Sequence, residues 1–436
     1  MSDGALLLIT YYWPPAGGPG VQRWLKTARY LKEAGQEVLV LTVDPGQATY
    51  PLRDVSLEEE AEGLEVFRTD TTDWFVAYQK LTGRKEVPFS GFANQAGKPG
   101  PLQAISRFIR GNFFLPDPRR GWNRHALRTA RTLFRDRKIS AVLTTSPPHS
   151  THLMGRQLQK EFNVRWFADF RDPWTDIYYY HRFYPTPWAR KVDQAMEKSV
   201  LEKADGIIAV SADLQRTLIG KSPLVSDKKF LVLPNGYDTS DFQINSGPPL
   251  EPHPFVLAYT GTLSLQYPIH STCVALRAVL AKGHVLTLRM AGRPAKEAVD
   301  AFQKIQKEYP TQFSVEDHGY LPHKESVHLM QTADALLLLI PDIHGNEGIL
   351  TGKLFEYIGT GRPVWGFGPE HGYAAALLRE NMAGELFYPT EDGELQAAEL
   401  LEKWITSAEI VYGAKNPQAY TRQSLTHQLI QWMQTH

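Results

Sequence analysis

Residues 5–42 read ALLLITYYWPPAGGPGVQRWLKTARYLKEAGQEVLVLT, and their periodicity decides the fold class. Ala5 to Thr10 is apolar without alternation, the pattern of a strand covered on both faces. A loop holding Gly17, Gly18 and Gly20 follows. Val21 to Ala34 then places apolar residues at helical spacing, Gly35 stops the helix, and Glu37 to Thr42 reads as a second strand. The stretch predicts a βαβ unit with parallel strands, hence an α/β fold.

The pattern recurs down the chain. Ala141 to Thr145 and Arg165 to Asp169 read as strands around a helix from Ser150 to Glu161, and Gly206 to Val210 follows helical Pro187 to Lys203. An aperiodic segment between Pro234 and Pro254, rich in Gly and Pro, reads as a linker. A second series starts beyond it: Phe255 to Tyr259, helix His270 to Ala281, Thr287 to Ala291, helix Ala295 to Glu308, Ala335 to Ile340, helix Gly352 to Gly359. The expectation is two doubly wound, Rossmann-like parallel-sheet domains, 1–240 and 250–415, facing a cleft, with ligands outside the carboxyl ends of the strands. The stretch Val55 to Phe113 resists assignment.

Length agrees, since 436 residues exceed one ordinary core of roughly 100 to 200 residues. Lys plus Arg and Asp plus Glu are 47 each, so no global field draws the chain to nucleic acid or an anionic bilayer. The lone Cys273 forms no internal disulfide, which fits a reducing compartment. The longest apolar runs fall far short of the roughly 20 residues of a spanning helix. The first apolar run, preceded by Asp3, reads as a buried strand rather than a secretion signal. A cytoplasmic protein is expected.

Two segments carry the chemistry. Gly17, Gly18 and Gly20 lie between strand and helix, where amides and the helix end favour a phosphate. A dinucleotide fingerprint is the rival reading, but Arg23 occupies its third glycine position and the Tyr11-to-Pro15 insertion lengthens the turn; a plain structural turn is the third. Glu347 to Pro363, EGILTGKLFEYIGTGRP, follows a buried strand. Thr351, Gly352 and Lys353 would form a helix N-terminus beside a cation, with Glu356 one turn on. Amides and an ammonium suit a diphosphate, and a carboxylate suits two ribose hydroxyls. Spacing excludes a Walker loop. A solvated Lys and Glu on an ordinary helix is the plain alternative.

Tyr11-Tyr12-Trp13-Pro14-Pro15-Ala16-Gly17-Gly18, Pro234-Asn235-Gly236, Tyr259-Thr260-Gly261 and Gly352-Lys353-Leu354-Phe355-Glu356-Tyr357 with Gly361-Arg362-Pro363-Val364 together resemble the family-four retaining glycosyltransferases of the GT-B fold. The resemblance covers nearly the whole chain. It implies a nucleoside diphosphate sugar held by the C-terminal domain, an acceptor held by the N-terminal one, and a last helix, about 418–436, packing back on the first domain. Carried over by position, Glu356 would bind ribose, and Thr351, Gly352 and Lys353 the diphosphate. Gly17 and Gly18 would close on the phosphates, and Gly319 and Tyr320 would read the base. Gly261 and Thr262 match a loop where many members carry an arginine. That arginine is absent, and Arg293 is the candidate to replace it. Gly348 stands where the first of two paired glutamates belongs, with Glu347 displaced by one.

In the N-terminal half, strand ends lead into Ser146-Pro147-Pro148-His149 and Asp169-Phe170-Arg171-Asp172-Pro173-Trp174. His149 and Asp172 are candidate catalytic residues, and Arg171 and Trp174 candidate acceptor contacts, with helix capping the plain alternative for His149 and Asp172. Between Ile105 and Lys138, ten cations face two acids among aromatic residues, which suggests docking to an anionic membrane or a lipid-linked acceptor at about 1 kcal/mol per cation; a solvated helix is the alternative. The reading is a metal-independent transferase without a cofactor. It moves a hexose-like unit to a glycan or lipid-linked acceptor in cell-surface polysaccharide synthesis. Alternatives are a dinucleotide-dependent oxidoreductase and a non-catalytic nucleotide-sugar-binding protein.

Overall fold

Every residue of β1 (Ala5–Ile9) is buried. Leu7 and Ile9 enter one apolar cluster, and Leu6 and Leu8 another. Alternate side chains of a strand point to opposite faces, so a strand without polar positions is stable only when both faces are covered. The computed structural model describes residues 4–72, 101–242, 253–343, 345–407 and 417–436. The chain divides into two compact units, Met1–Asn235 with Leu425–His436, and Gly236–Ser424. The linker expected over 234–254 lies partly outside the described residues.

Unit 1 places β1, β2 (Val38–Val43), β3 (Glu65–Thr69), β4 (Ile139–Ser146), β5 (Arg165–Phe170), β6 (Gly206–Ala209) and β7 (Phe230–Val232) in one parallel sheet, order β3-β2-β1-β4-β5-β6-β7. Its helices are α1 (Pro19–Glu33), α2 (Ser56–Glu60), α3 (Pro101–Phe113), α4 (Asn123–Asp136), α5 (Ser150–Phe162), α6 (Pro187–Lys203) and α7 (Ala212–Ile219). Unit 2 orders β8 (Phe255–Leu263), β9 (Leu286–Pro294), β10 (Phe313–Asp317), β11 (Ala335–Leu339), β12 (Val364–Phe367) and β13 (Gly384–Phe387) as β10-β9-β8-β11-β12-β13, again parallel. Its helices are α8 (Ile269–Leu280), α9 (Lys296–Glu308), α10 (His323–Gln331), α11 (Gly352–Thr360), α12 (Tyr373–Glu380) and α13 (Glu391–Thr406). The last helix, α14 (Arg422–Thr435), runs into unit 1, where Leu425 and Leu429 join Leu6 and Leu8 in the core.

In each sheet the winding reverses beside the first strand, between β1 and β4 and between β8 and β11. Connections leaving the two strands at such a switch diverge and open a crevice at their carboxyl ends. The turns singled out in the sequence stand at these two places.

β8 and β9 run past their expected ends at Tyr259 and Ala291, so Gly261 and Thr262 lie in a strand and not in a loop. Gly261 pairs with Gly292, and Thr262 with Arg293. A Cβ on Gly292 would stand 2.1 Å from the Gly261 carbonyl oxygen, so the close approach requires glycine. Among the described residues no helix is long and apolar enough to cross a membrane.

Candidate functional site

In unit 2 the expected donor residues gather at the switch between β8 and β11. Helix α11 starts at Gly352 after extended Thr351, and no side chain caps its first turn. Thr351 Oγ1 is buried without a partner. Unmatched amides at a helix start, with the positive end of the helix dipole, favour an anion there. Lys353 Nζ donates to Tyr259 Oη at 2.9 Å and lies 4.2 Å from the ring centre. Tyr259 Oη in turn donates to the Thr262 carbonyl at 2.6 Å. A Cβ on Gly261 would stand 3.3 Å from the ammonium, so the cation rests against bare backbone. Burial lowers the Lys353 pKa to about 7, against the raising effect of the Glu356 carboxylate.

Thr262 pairs with Arg293 in the sheet, Arg293 lies 5.6 Å over the Tyr320 ring, and Gly292 N–H donates to the Gly319 carbonyl at 2.7 Å. The ends of β8, β9 and β10 thus bring Gly261, Thr262, Arg293, Gly319 and Tyr320 together. Glu347 stands apart: it is exposed in the turn Asn346–Gly348 and has no hydrogen-bond or ion-pair partner among the described residues.

Three residues that sequence reasoning passed over complete this group. His323, first residue of α10, sets Nε2 3.1 Å from Asp241 Oδ2 and 3.9 Å from Glu356 Oε1. Tyr357 Oη accepts from Thr260 N–H at 3.1 Å and donates to the Leu337 carbonyl at 3.3 Å, which fixes α11 to β8 and β11. The partners are far apart in sequence, and neither relation has a local signature. Glu356 to Tyr357 could have flagged the tyrosine, since an aromatic beside a functional carboxylate on a buried helix needs a partner for its hydroxyl.

Unit 1 has its own cavity of about 390 Å³, at the switch between β1 and β4. Gly17, Gly18, His149, Arg171, Asp172 and Trp174 all line it, with Arg110, Tyr179, Tyr180 and Asp193, which the sequence did not single out. Gly20 is explained by Arg171: a Cβ there would stand 1.2 Å from Nη1, so the guanidinium lies directly on the glycine turn. Arg171 Nε donates to the Ser146 carbonyl at 2.8 Å and Nη2 to the Pro147 carbonyl at 3.1 Å. Asp172 is pushed up by burial, against the lowering charge of Arg171. Arg23, at the position where a dinucleotide turn needs glycine, is buried and pairs with Asp169 at 2.9 Å. Asp169 also accepts from Trp24 and Thr145, both at 2.7 Å. This position therefore locks α1 to β5 and leaves no room for a dinucleotide fingerprint.

Two sequence readings change here. Trp174 presents no bare ring to a sugar: it is 2% exposed, its indole N–H donates to Asp193 Oδ1 at 2.7 Å, and His149 stacks on it at 4.8 Å and 11°. His149 stands at the N-cap position of α5, but its side chain does not cap the helix. Asp117 does so, accepting from Ser150 N–H at 2.7 Å and Ser150 Oγ at 2.9 Å. His149 Nδ1 is buried without a partner. Burial, then the charges of His152, Arg110 and Arg171, hold its pKa well below 6.5, so the imidazole stays neutral and can accept a hydrogen bond. His152 is structural, buried with Nδ1 2.8 Å from Thr144 Oγ1 and lowered to about 3 by burial. Asp193 also accepts from Tyr180 Oη at 3.0 Å, and burial raises it to about 6.

The basic stretch 105–138 divides in two. On α4, Ala126, Leu127, Ala130 and Leu133 are buried, and Arg131 makes a two-pronged pair with Glu161 at 2.8 Å each. Only α3 keeps large apolar side chains exposed: Ile105, Phe108, Ile109 and Phe113.

Two parallel α/β units with crevices at their switch points are the architecture of the GT-B fold. The model of the glycosyl transferase 4-like domain matches residues 17–236, half of the chain, and the protein belongs to that family. Among solved structures it is similar to the N-terminal domain of Candida albicans trehalose-6-phosphate phosphatase, at 13% identity and TM-score 0.64 over 100% of this chain and 97% of that one. Anabaena HepE in complex with UDP and glucose gives 15% and 0.58 over 100% of both. Sucrose-phosphate synthase of Thermosynechococcus elongatus gives 14% and 0.57 over 99% of both. These likenesses speak for the fold. No curated protein sequence matches the chain.

Proposed function

We propose that the protein is a retaining glycosyltransferase in which unit 2 binds a nucleoside diphosphate sugar and the unit 1 cavity binds the acceptor. The carrying observation is the uncapped start of α11, with the Lys353 ammonium against Gly261 and the Glu356 carboxylate one turn on. Diphosphate oxygens would take the amides of Gly352 and Lys353 and the ammonium, and the ribose hydroxyls would take Glu356. Arg293 and Tyr320 would border the donor, with the Gly319 backbone beside the base. The UDP bound by the similar HepE supports a nucleotide donor. Glu347 is exposed and has no partner among the described residues, which leaves it able to turn toward donor sugar hydroxyls.

In the unit 1 cavity, Asp172 and the neutral imidazole of His149 are the groups fitted to contact the reacting hydroxyl, and Arg171 with the Gly17–Gly18 turn would take an anionic part of a substrate. Retention without a dedicated nucleophile calls for a front-face transfer, in which the departing phosphate takes the acceptor proton. The chain contains no Asp-x-Asp triplet, and leaving-group charge would fall to Lys353, Arg293 and the helix end, with no metal. A hexose-like donor sugar and a glycan or lipid-linked acceptor of cell-surface polysaccharide synthesis, in the cytoplasm, complete the reading. Calorimetry against a panel of nucleoside diphosphates and their sugars tests it: one of them binds, Glu356→Ala weakens it at least tenfold, and turnover survives a chelator. Unchanged affinity in Glu356→Ala defeats the donor assignment.

A further inference from the structure

Among the described residues of unit 1, a cluster of exposed large apolar side chains lies on α3 and at the start of α6. Ile105, Phe108, Ile109 and Phe113 are 56%, 42%, 43% and 73% exposed, and their spacing puts them on one face of the helix. The end of α3 is tied to the segment before α6. Asn112 Nδ2 donates to the Tyr184 carbonyl at 3.0 Å, Thr186 N–H donates to Asn112 Oδ1 at 2.8 Å, and Arg110 lies 4.8 Å over the Phe183 ring. Tyr184 and Trp188, 44% and 67% exposed, continue the same patch.

The exposed charge that these two segments carry has one sign. Ile105 to Phe113 contains no acid, with Arg107 buried and Arg110 folded over the Phe183 ring, and Tyr178 to Lys191 contains Arg182, Arg190 and Lys191 and no acid. Arg190 and Lys191 are exposed. Large apolar side chains fringed by cations match a bilayer, where rings and aliphatic chains enter the acyl boundary and cations meet anionic headgroups. A second copy of the chain, docked by the same face, would set these cations against one another. The cavity belongs to the same elements, since Arg110, Gly111, Phe183 and Pro185 line it.

We propose that this face seats unit 1 on an anionic bilayer and that the cavity receives an acceptor presented from that bilayer. The second half rests on the transferase reading, and the first does not. Co-sedimentation of the full chain with vesicles of phosphatidylcholine alone, or mixed with phosphatidylglycerol, tests the seat. The expected result is binding to the mixed vesicles that salt weakens. Phe113→Ser with Trp188→Ser, and separately Arg190→Glu with Lys191→Glu, should each lower partition by roughly tenfold. All four side chains are exposed, so circular dichroism and the unfolding midpoint should not change.

Equal partition onto the two vesicle types, or apolar variants that bind like the wild type, overturns the proposal. So does a wild-type dimer that the Ser variants dissolve, with no vesicle binding, because a second copy would then cover the face. Nucleotide titration of the same samples separates the two readings: nucleotide binding without vesicle binding defeats the seat alone, and the reverse defeats the donor site alone.

Discussion

His323 Nε2 lies 3.1 Å from Asp241 Oδ2 and 3.9 Å from Glu356 Oε1, so one imidazole hydrogen-bonded to Asp241 sets its charge beside the carboxylate assigned to the ribose. Burial opposes its charge, but the hydrogen bond to Asp241 and the Glu356 carboxylate outweigh burial, and its pKa rises above 6.5. A folded pKa above the unfolded one contributes stability that is complete below about 6.5 and disappears as pH climbs through the folded value. His323→Gln should therefore lose more stability, relative to wild type, at pH 5.5 than at pH 9. Donor affinity should drop roughly three- to tenfold, through Glu356. Urea unfolding at the two pH values and calorimetry of the donor check both halves.

Lys353 titrates near pH 7 because burial strips its hydration. Above that value the empty site holds a neutral amine, and a diphosphate must bring a proton with it. Nucleotide affinity should fall by at most about tenfold per pH unit above 7, with proton uptake visible as a buffer-dependent binding enthalpy. Lys353→Met should flatten the pH dependence as well as weaken binding. A wild type with pH-independent affinity between 7 and 9 contradicts this account.

Asp193 supports the cavity wall by accepting from Trp174 and Tyr180. Burial raises its pKa to about 6, against those hydrogen bonds and the charge of Arg110. A carboxyl raised in the fold binds protons that the unfolded chain has already released. Its contribution therefore worsens as pH rises from about 4 to 6, by roughly 2 to 3 kcal/mol. Asp193→Asn removes the titration, so its stability relative to wild type should improve across that interval. Chemical denaturation at pH 4.5 and 7 measures the difference.

The Arg23–Asp169 pair is buried at both ends. Asp169→Ala leaves the guanidinium uncompensated and also frees the Trp24 and Thr145 donors. A loss of about 3 to 5 kcal/mol in the unfolding of unit 1 is expected. Replacing both partners together, by Met and Ala, should cost less than the single change. A cost below 1 kcal/mol for Asp169→Ala would show that the pair is not the lock between α1 and β5.

What the sequence made legible was the part written in local periodicity. β1, β2, β4, β8, β9 and β11 carry runs of Val, Leu or Ile, and β5 (RWFADF) a run of aromatic residues and Ala, each buried over most of its length. The edge strands do not. β3 (EVFRT) carries exposed charge, β10 (FSVED) ends in acids, and β7 and β13 hold only three and four residues, so no periodic signal rises above that of a loop. The site divides in the same way. Glycine turns and the Lys353-to-Glu356 spacing are visible because they lie within one turn or one helix. His323 with Asp241, and Asp193 with Trp174, depend on packing between segments, and no local pattern encodes them. The stacking of His149 on Trp174 was equally hidden, which is why an occupied ring looked available for sugar.

Leu425 and Leu429 of α14 pack with Leu6 and Leu8, and a Cβ on Gly206 would strike the Trp432 ring at 2.3 Å. A ribosome delivering this chain has therefore made every strand of the first sheet, and then all of the second unit, before it supplies the residues that close the first core. During that interval the leucine face around β1 stays open to chaperones, to proteases and to other nascent chains. Residues 1–235, taken alone as a fragment, would inherit that unfinished surface for good.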